Sequence, residues 1–273
     1  MWLSEHPQVF FSAEKEPHFF NTDHAWILTP TLKDYERYFL GAKSNHLAVG
    51  EGSVWYLYSK TAVLNIEKYS PGARYIVCLR NPIDMAYSLH EQQVITGNEH
   101  IKDFALAWRL KDARLQGKEV SHWCVEPSHL AYGNVCKLGE QLQRLYKTVP
   151  SNRVFTVLLD DLKDNPRQLY LDILYFLNLD DDDRCEFQAE NMAKKLKSIS
   201  LRKIVRMIGY FKQIMGVRKG LGILKAIDRY NIYYRPRQKM DRELKLELIE
   251  YFKADIKLLE KLLNRDLSFW IDQ

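Results

Sequence analysis

Two short stretches carry residues whose types and spacing suit chemistry beside an anion. Lys15, Glu16 and His18 place a cation, a carboxylate and an imidazole in one Lys-Glu-Pro-His turn. A carboxylate so placed can take a proton from a hydroxyl while Lys15 and His18 hold charge. The second stretch is ARYIVCLRNPIDMAYSLH, in which Arg80 ends an apolar run and Ser88 follows on a helix. Two helical turns set Ser88 about 9 Å from the helix start, so an Arg80 arm and the Ser88 hydroxyl can meet one phosphate-sized anion. Each stretch, taken alone, also has a plainer reading. The first can be a solvated turn anchored by Phe19 and Phe20, the second a strand-end charge followed by an ordinary helix residue.

Other chemistry-bearing groups are less ordered. The loop expected over 117–130 holds His122 and Trp123, whose rings can stack on a sugar or pack inward. His122, Cys124, His129 and Cys136 crowd one segment, but their spacing fits no zinc module, so no metal is expected. The four cysteines form no CxxC pair and no dense framework, which points to a reducing, cytoplasmic setting. The acidic run at 180–183 lacks the alternating ligands and turn glycine of a calcium loop.

The elements that must position these groups follow from periodicity and punctuation. Tyr75–Leu79 is a continuous apolar, β-branched run and reads as a buried strand of a parallel sheet. Asn81 can cap the next helix, Pro82 suits its first position, and Asp84 sits in the first turn, where the helix dipole favours an anion. The carboxyl ends of strands in such sheets are where ligands bind, which aims Arg80 at a site. Further strands are expected over 9–12, 46–49 and 153–159, and helices over 31–39, 55–69, 101–116, 131–148 and 166–177. The helix at 101–116 should bury Phe104, Ala105, Trp108 and Leu115, and Gly117 should end it. A closing helix over 241–263 carries Leu244, Leu248, Phe252, Leu259 and Leu262 as its buried stripe.

With 273 residues, 46% of them hydrophobic, the chain can bury a large core, and no apolar run approaches the ~18 residues that span a bilayer. The net charge is +5, but fourteen Lys and Arg stand against one acid between Lys194 and Lys239. That segment reads as an amphipathic basic helix over 199–216 that either packs on the rest of the chain or lies on an anionic membrane surface. No nucleic-acid recognition motif accompanies the charge.

Four ordered segments together carry a family resemblance: HPQVFFSAEKEPHFF, GEGSVWYLYS, YIVCLRNPIDMAYSLH and VLLDDLKDNPRQLYLDILYFLNL. They resemble the sulfotransferases that use 3′-phosphoadenosine 5′-phosphosulfate (PAPS), most of all the bacterial and glycan-type branch. The resemblance runs from about Leu3 to the carboxyl terminus and includes the ending NRDLSFW. It implies an α/β, P-loop-NTPase-like three-layer sandwich with a central parallel sheet flanked by helices. It further implies one domain over 1–273, with an α/β core over 1–180 and a mainly helical part over 181–273.

The resemblance also assigns roles. Glu16 would be the general base on an acceptor hydroxyl, with Lys15 and His18 beside it. Arg80 and Ser88 would hold the donor's 3′-phosphate, Arg218, Lys219 and Gly220 would form a second grip on it, and Tyr132 would contact the adenosine. Glu51 and Ser53 fall where the family meets its acceptor, although Gly52 and Val54 replace the usual Lys and Pro. Glu51 also reads as a helix-start carboxylate. Asp160 and Asp161 would support the fold. The donor would be PAPS and the product adenosine 3′,5′-bisphosphate (PAP), without a metal, and the acceptor a carbohydrate or glycolipid hydroxyl.

Family members begin with a strand and a Gly-rich loop, GxxKxGT, that cradles the 5′-phosphosulfate, and no such loop occurs in this sequence. The expectation is that this strand and loop lie upstream of Met1. A protein from another class, one that keeps the crevice or the basic helix only as a nucleotide- or membrane-binding surface, is the alternative.

Overall fold

The structure is a computed structural model that describes residues 2–25, 28–122, 124–187 and 194–198, scattered positions between 201 and 234, and residues 239–272. The chain divides into two compact units, one built from 1–82, 137–188 and 252–273 and the other from 83–136 and 189–251. Both are discontinuous in sequence.

In the first unit, β1 (Val9–Phe11) pairs in parallel with β2 (Ala48–Gly50), Val9 opposite Ala48 and Phe11 opposite Gly50. β3 (Tyr75–Leu79) pairs in parallel with β4 (Val154–Leu158) from Tyr75 opposite Val154 to Leu79 opposite Leu158. Parallel neighbours need crossover connections. α1 (Leu32–Arg37) lies in the first crossover and starts at Thr31, whose hydroxyl accepts from the Asp34 amide. α7 (Leu138–Thr148) precedes β4, and α8 (Leu159–Asp164) and α9 (Pro166–Leu177) follow it. α9 opens on Asn165 and Pro166 and closes at Asn178 in a left-handed conformation, φ 57°.

α9 explains how the strands are covered. Its Tyr170 and Leu174 pack with Val9 of β1, and its Leu169 and Ile173 pack with Val157 of β4. Leu3 and Leu177 touch both groups and join them into one apolar layer. β3 is less buried than its composition suggests: Val77 and Leu79 are buried, while Cys78 is exposed.

The second unit holds most of α3 (Pro82–Thr96), followed by α4 (Phe104–Arg109), α5 (Lys111–Leu115) and α6 (Tyr132–Val135). It also pairs β5 (Lys194–Leu196) with β6 (Ile232–Tyr234) in antiparallel register. This short strand pair was not among the elements expected from the sequence. Of the basic helix expected over 199–216, Leu201, Ile204, Val205, Met207 and Ile208 are helical, and its other residues lie outside those described. α10 (Arg242–Leu263) supplies Leu244 and Leu248 to this unit, and Phe252, Ile256 and Leu259 to the first. Among the described residues no helix is long and apolar enough to cross a membrane.

Three expected helices are shorter or broken. α2 spans Ala62–Tyr69 rather than 55–69, because Ser59 acts as its start: the Ser59 hydroxyl accepts from the Ala62 amide at 3.0 Å and donates to Asp23. Asp23 also accepts from the Thr61 hydroxyl and the Lys60 amide, at 2.9 and 2.8 Å. Burial works to raise the Asp23 pKa, but these bonds outweigh it and hold the carboxyl below its ordinary value. The helix over 101–116 breaks at Leu110, which ends α4 and starts α5 at φ −87°, ψ 0°. That turn shifts the phase, so α5 buries Arg114 and leaves Leu115 48% exposed. The helix over 131–148 breaks at Cys136 and Lys137, and α7 restarts where the Asp255 carboxylate accepts from the Gly139 and Glu140 amides, both at 2.8 Å.

Candidate functional site

β1 and β2 run in the same direction, so the segments that leave them emerge at one edge, and the Ser12 amide extends the pairing to the Gly50 carbonyl at 2.9 Å. After β1 comes the turn with Lys15, Glu16, Pro17 and His18. After β2 comes Glu51, with Ser53 and Tyr56 close behind. Parallel pairing thus brings together two segments that are more than thirty residues apart.

The turn is unusual in its backbone. Glu16 and His18, on either side of Pro17, have φ 55° and 49°, a left-handed region in which side chains other than Gly are strained. The buried His18 imidazole sets its Nε2 3.3 Å from Oε2 of Glu16, whose side chain is 32% exposed. Glu16 is therefore reachable from solvent while its neighbour is fixed. Lys15 is exposed beside it. The Pro17 carbonyl accepts from the Thr29 hydroxyl at 2.9 Å, and the rings after the turn are packed, Phe19 stacked on Tyr35 with centroids 4.8 Å apart.

Three successive backbone amides of this turn are met by two hydroxyls. The Ser53 hydroxyl accepts from the His18 amide at 3.1 Å, and the Tyr56 hydroxyl accepts from the Phe19 and Phe20 amides at 3.1 and 3.4 Å. Both hydroxyls donate to Glu51, Ser53 to Oε2 at 2.8 Å and Tyr56 to Oε1 at 2.6 Å. Burial raises the Glu51 pKa, opposed by the hydroxyls of Tyr56 and Ser53 and by the nearness of His18. Burial, reinforced by the Glu51 charge, also pushes the Tyr56 and Tyr35 phenols well above their ordinary range. Glu51 and Ser53 were expected at an acceptor, and Glu51 alternatively at a helix start. In the structure their polar atoms bond toward the turn that carries Glu16 and toward one another. Tyr56 and Tyr35 were not anticipated, since a Tyr within an aromatic run gives no sign that its hydroxyl has a distant amide to bind.

Arg80 follows β3 directly and is half-buried. The next residue is anchored: the Asn81 amide donates to the Trp270 carbonyl at 3.2 Å, and the Trp270 indole donates to Asp160 at 3.0 Å. Arg265 forks onto Asp161 with bonds of 2.6 and 2.5 Å. The acidic pair after β4 and the chain's NRDLSFW ending are thus tied together at the end of β3 and β4, a structural role for Asp160 and Asp161. Ser88 lies on α3 in the second unit, half-buried.

Tyr132 was expected to contact the adenosine. It is fully buried in the second unit, and its hydroxyl donates to Glu99 at 2.8 Å. Glu99 is in turn paired at 2.7 Å with Arg114, both side chains sealed from solvent, and the Arg114 guanidinium lies over the Tyr132 ring. This side chain holds the packing of its unit. The adjoining Gly133 is needed for close approach, since a Cβ there would clash with the Tyr251 ring. Trp123, Arg218, Lys219 and Gly220 lie outside the described residues. Among the described residues no group of His, Cys, Asp and Glu is arranged to hold a metal ion.

The family model of the sulfotransferase domain matches residues 6–259. A solved sulfotransferase from Alicyclobacillus acidocaldarius shares the fold with a TM-score of 0.69 and 22% identity, over 98% of this chain and 91% of its own. The sulfotransferase domain from the curacin biosynthetic pathway aligns over 54% of this chain and 43% of its own, with a TM-score of 0.35 and 15% identity. No curated protein matches the sequence. The architecture is that of an α/β, P-loop-NTPase-like fold with parallel strand pairs and flanking helices. With a family match that covers nearly the whole chain, the protein belongs to the sulfotransferase domain family.

Proposed function

We propose that this sulfotransferase moves a sulfuryl group from PAPS to a hydroxyl of a carbohydrate or glycolipid acceptor, with Glu16 as the general base. The observation that carries the reading is the fixed turn after β1, which leaves the Glu16 carboxylate reachable while its His18 neighbour is buried. The donor supplies an activated sulfuryl group on a phosphate that can leave. Glu16 takes the proton from the acceptor hydroxyl as its oxygen bonds to sulfur and the bond from sulfur to the phosphate oxygen breaks. Lys15, exposed next to Glu16, offers positive charge where negative charge develops. Arg80, at the carboxyl end of β3, holds the 3′-phosphate through charge-assisted bonds. Within this chain, Lys15 and Arg80 are the cations this reading places against the donor.

The test is transfer of labelled sulfate from PAPS to a panel of glycan acceptors by the wild-type chain and by Glu16→Gln. Loss of the base should lower kcat by about 10²–10⁴-fold with little change in donor KM. Transfer by Glu16→Gln at the wild-type rate would remove Glu16 from the mechanism. Nucleotide binding without transfer to any acceptor would favour the surface-binding alternative.

A further inference from the structure

The turn that carries Glu16 and His18 is held in a strained conformation, and something must hold it there. A left-handed φ at two residues other than Gly persists only where surrounding contacts over-determine the backbone. The contacts next to it are the three amides of His18, Phe19 and Phe20. These bond not to another strand or to a carbonyl but to the hydroxyls of Ser53 and Tyr56. A hydroxyl can donate or accept, so by itself it does not dictate that its lone pairs face an amide. Here the direction is set from behind, because each hydroxyl donates its proton to a different oxygen of Glu51. An ionised carboxylate only accepts, so both hydroxyls must turn their lone pairs toward the amides.

We infer that Glu51 is a positioning residue, a buried carboxylate that fixes the Glu16–His18 turn through the Ser53 and Tyr56 hydroxyls. This assignment rests on the reading of Glu16 as the base, and it gives a role to a carboxylate buried among tyrosines. A Gln at this position would place an NH2 where one hydroxyl now donates. That hydroxyl would lose its acceptor, and the amide bonds behind it would loosen. An Ala at Ser53 would release the His18 amide alone, and a Phe at Tyr56 the Phe19 and Phe20 amides alone.

The experiment is amide hydrogen exchange by NMR on the full chain, labelled with 15N at His and Phe, in wild type, Glu51→Gln, Ser53→Ala and Tyr56→Phe. In Glu51→Gln the exchange of at least one of the two sets, His18 or Phe19 with Phe20, should accelerate by about tenfold or more, while Phe155 in the β3–β4 ladder stays unchanged. Ser53→Ala should accelerate His18 only, and Tyr56→Phe should accelerate Phe19 and Phe20 only. In transfer assays Glu51→Gln should lower kcat, leave donor KM unchanged, and add nothing to the defect of Glu16→Gln when the two are combined. Unchanged exchange of all three amides in Glu51→Gln would overturn the assignment. So would equal acceleration of Phe155, which would mark general loosening. If Glu51→Gln does not fold, the single-hydroxyl variants decide: failure of each to act on its own amides overturns the assignment. The exchange data stand apart from the base itself, because a wrong role for Glu16 would show in the Glu16→Gln rates and leave the amide pattern intact.

Discussion

Glu67 shows how single side chains of the first unit are tuned by their neighbours. Its carboxylate receives two bonds from the Arg153 guanidinium, at 3.1 and 2.8 Å, and one from the Tyr75 hydroxyl at 2.7 Å, which joins α2 to the start of β3 and β4. The Arg153 bonds hold the Glu67 carboxyl below its ordinary value. A depressed carboxylate pKa contributes stability that is present above the unfolded value near 4.3 and is lost as pH falls through the folded value. Glu67→Gln should therefore lower Tm at pH 7, and the gap to wild type should close as thermal melts are taken down to about pH 3. A gap that stays constant with pH would mean the bond geometry, not the charge, matters. At this scale the Lys15, Glu16 and His18 trio was legible in the sequence, because the three groups are adjacent and follow an apolar run. Glu51 was visible as a candidate, but its bonds to two hydroxyls were not. Its partners Ser53 and Tyr56 are near in sequence, but the amides they serve lie 35 to 37 positions away, a separation no local pattern encodes.

Helix α7 illustrates propensity overruled by packing. Gly139 sits in its first turn, where Ala would be favoured by up to ~1 kcal/mol on helix propensity alone. A Cβ there would collide with the backbone oxygen of Asp255 on α10, as well as with the carboxylate that caps α7. Backbone cannot swing aside as a side chain can, so the clash should dominate. Gly139→Ala should destabilise the protein by about 1–3 kcal/mol in urea unfolding. A neutral or stabilising result would show that α7 and α10 can separate at little cost. The elements themselves were largely readable: β3, β4, α9 and α10 fall where apolar runs, Asn165-Pro166 and the leucine stripe place them. Two of the breaks were not, because the start of α2 and the restart of α7 are set by partners far away in sequence, Asp23 and Asp255. The β5–β6 pair joins short segments on either side of the basic stretch over 199–216, 36 or more positions apart in sequence, a pairing no local pattern encodes.

At the scale of the molecule, the chain weaves between two compact units, each built from segments distant in sequence. The family and its fold were nevertheless legible, because four motifs in fixed order carry them and the domain match spans 6–259. Arg80 ties this level to function: it leaves β3 beside Asn81, which the chain's far end holds through Trp270 and Asp160. A guanidinium held at a strand's carboxyl end is a phosphate ligand in waiting only if the nucleotide binds there. The decisive measurement is calorimetric titration of PAP into the wild-type chain and Arg80→Ala. The account predicts binding by the wild type and a loss of about ten- to a hundredfold in affinity on removal of Arg80. A wild-type chain that does not bind PAP, or an Arg80→Ala variant that binds it equally well, would contradict the account.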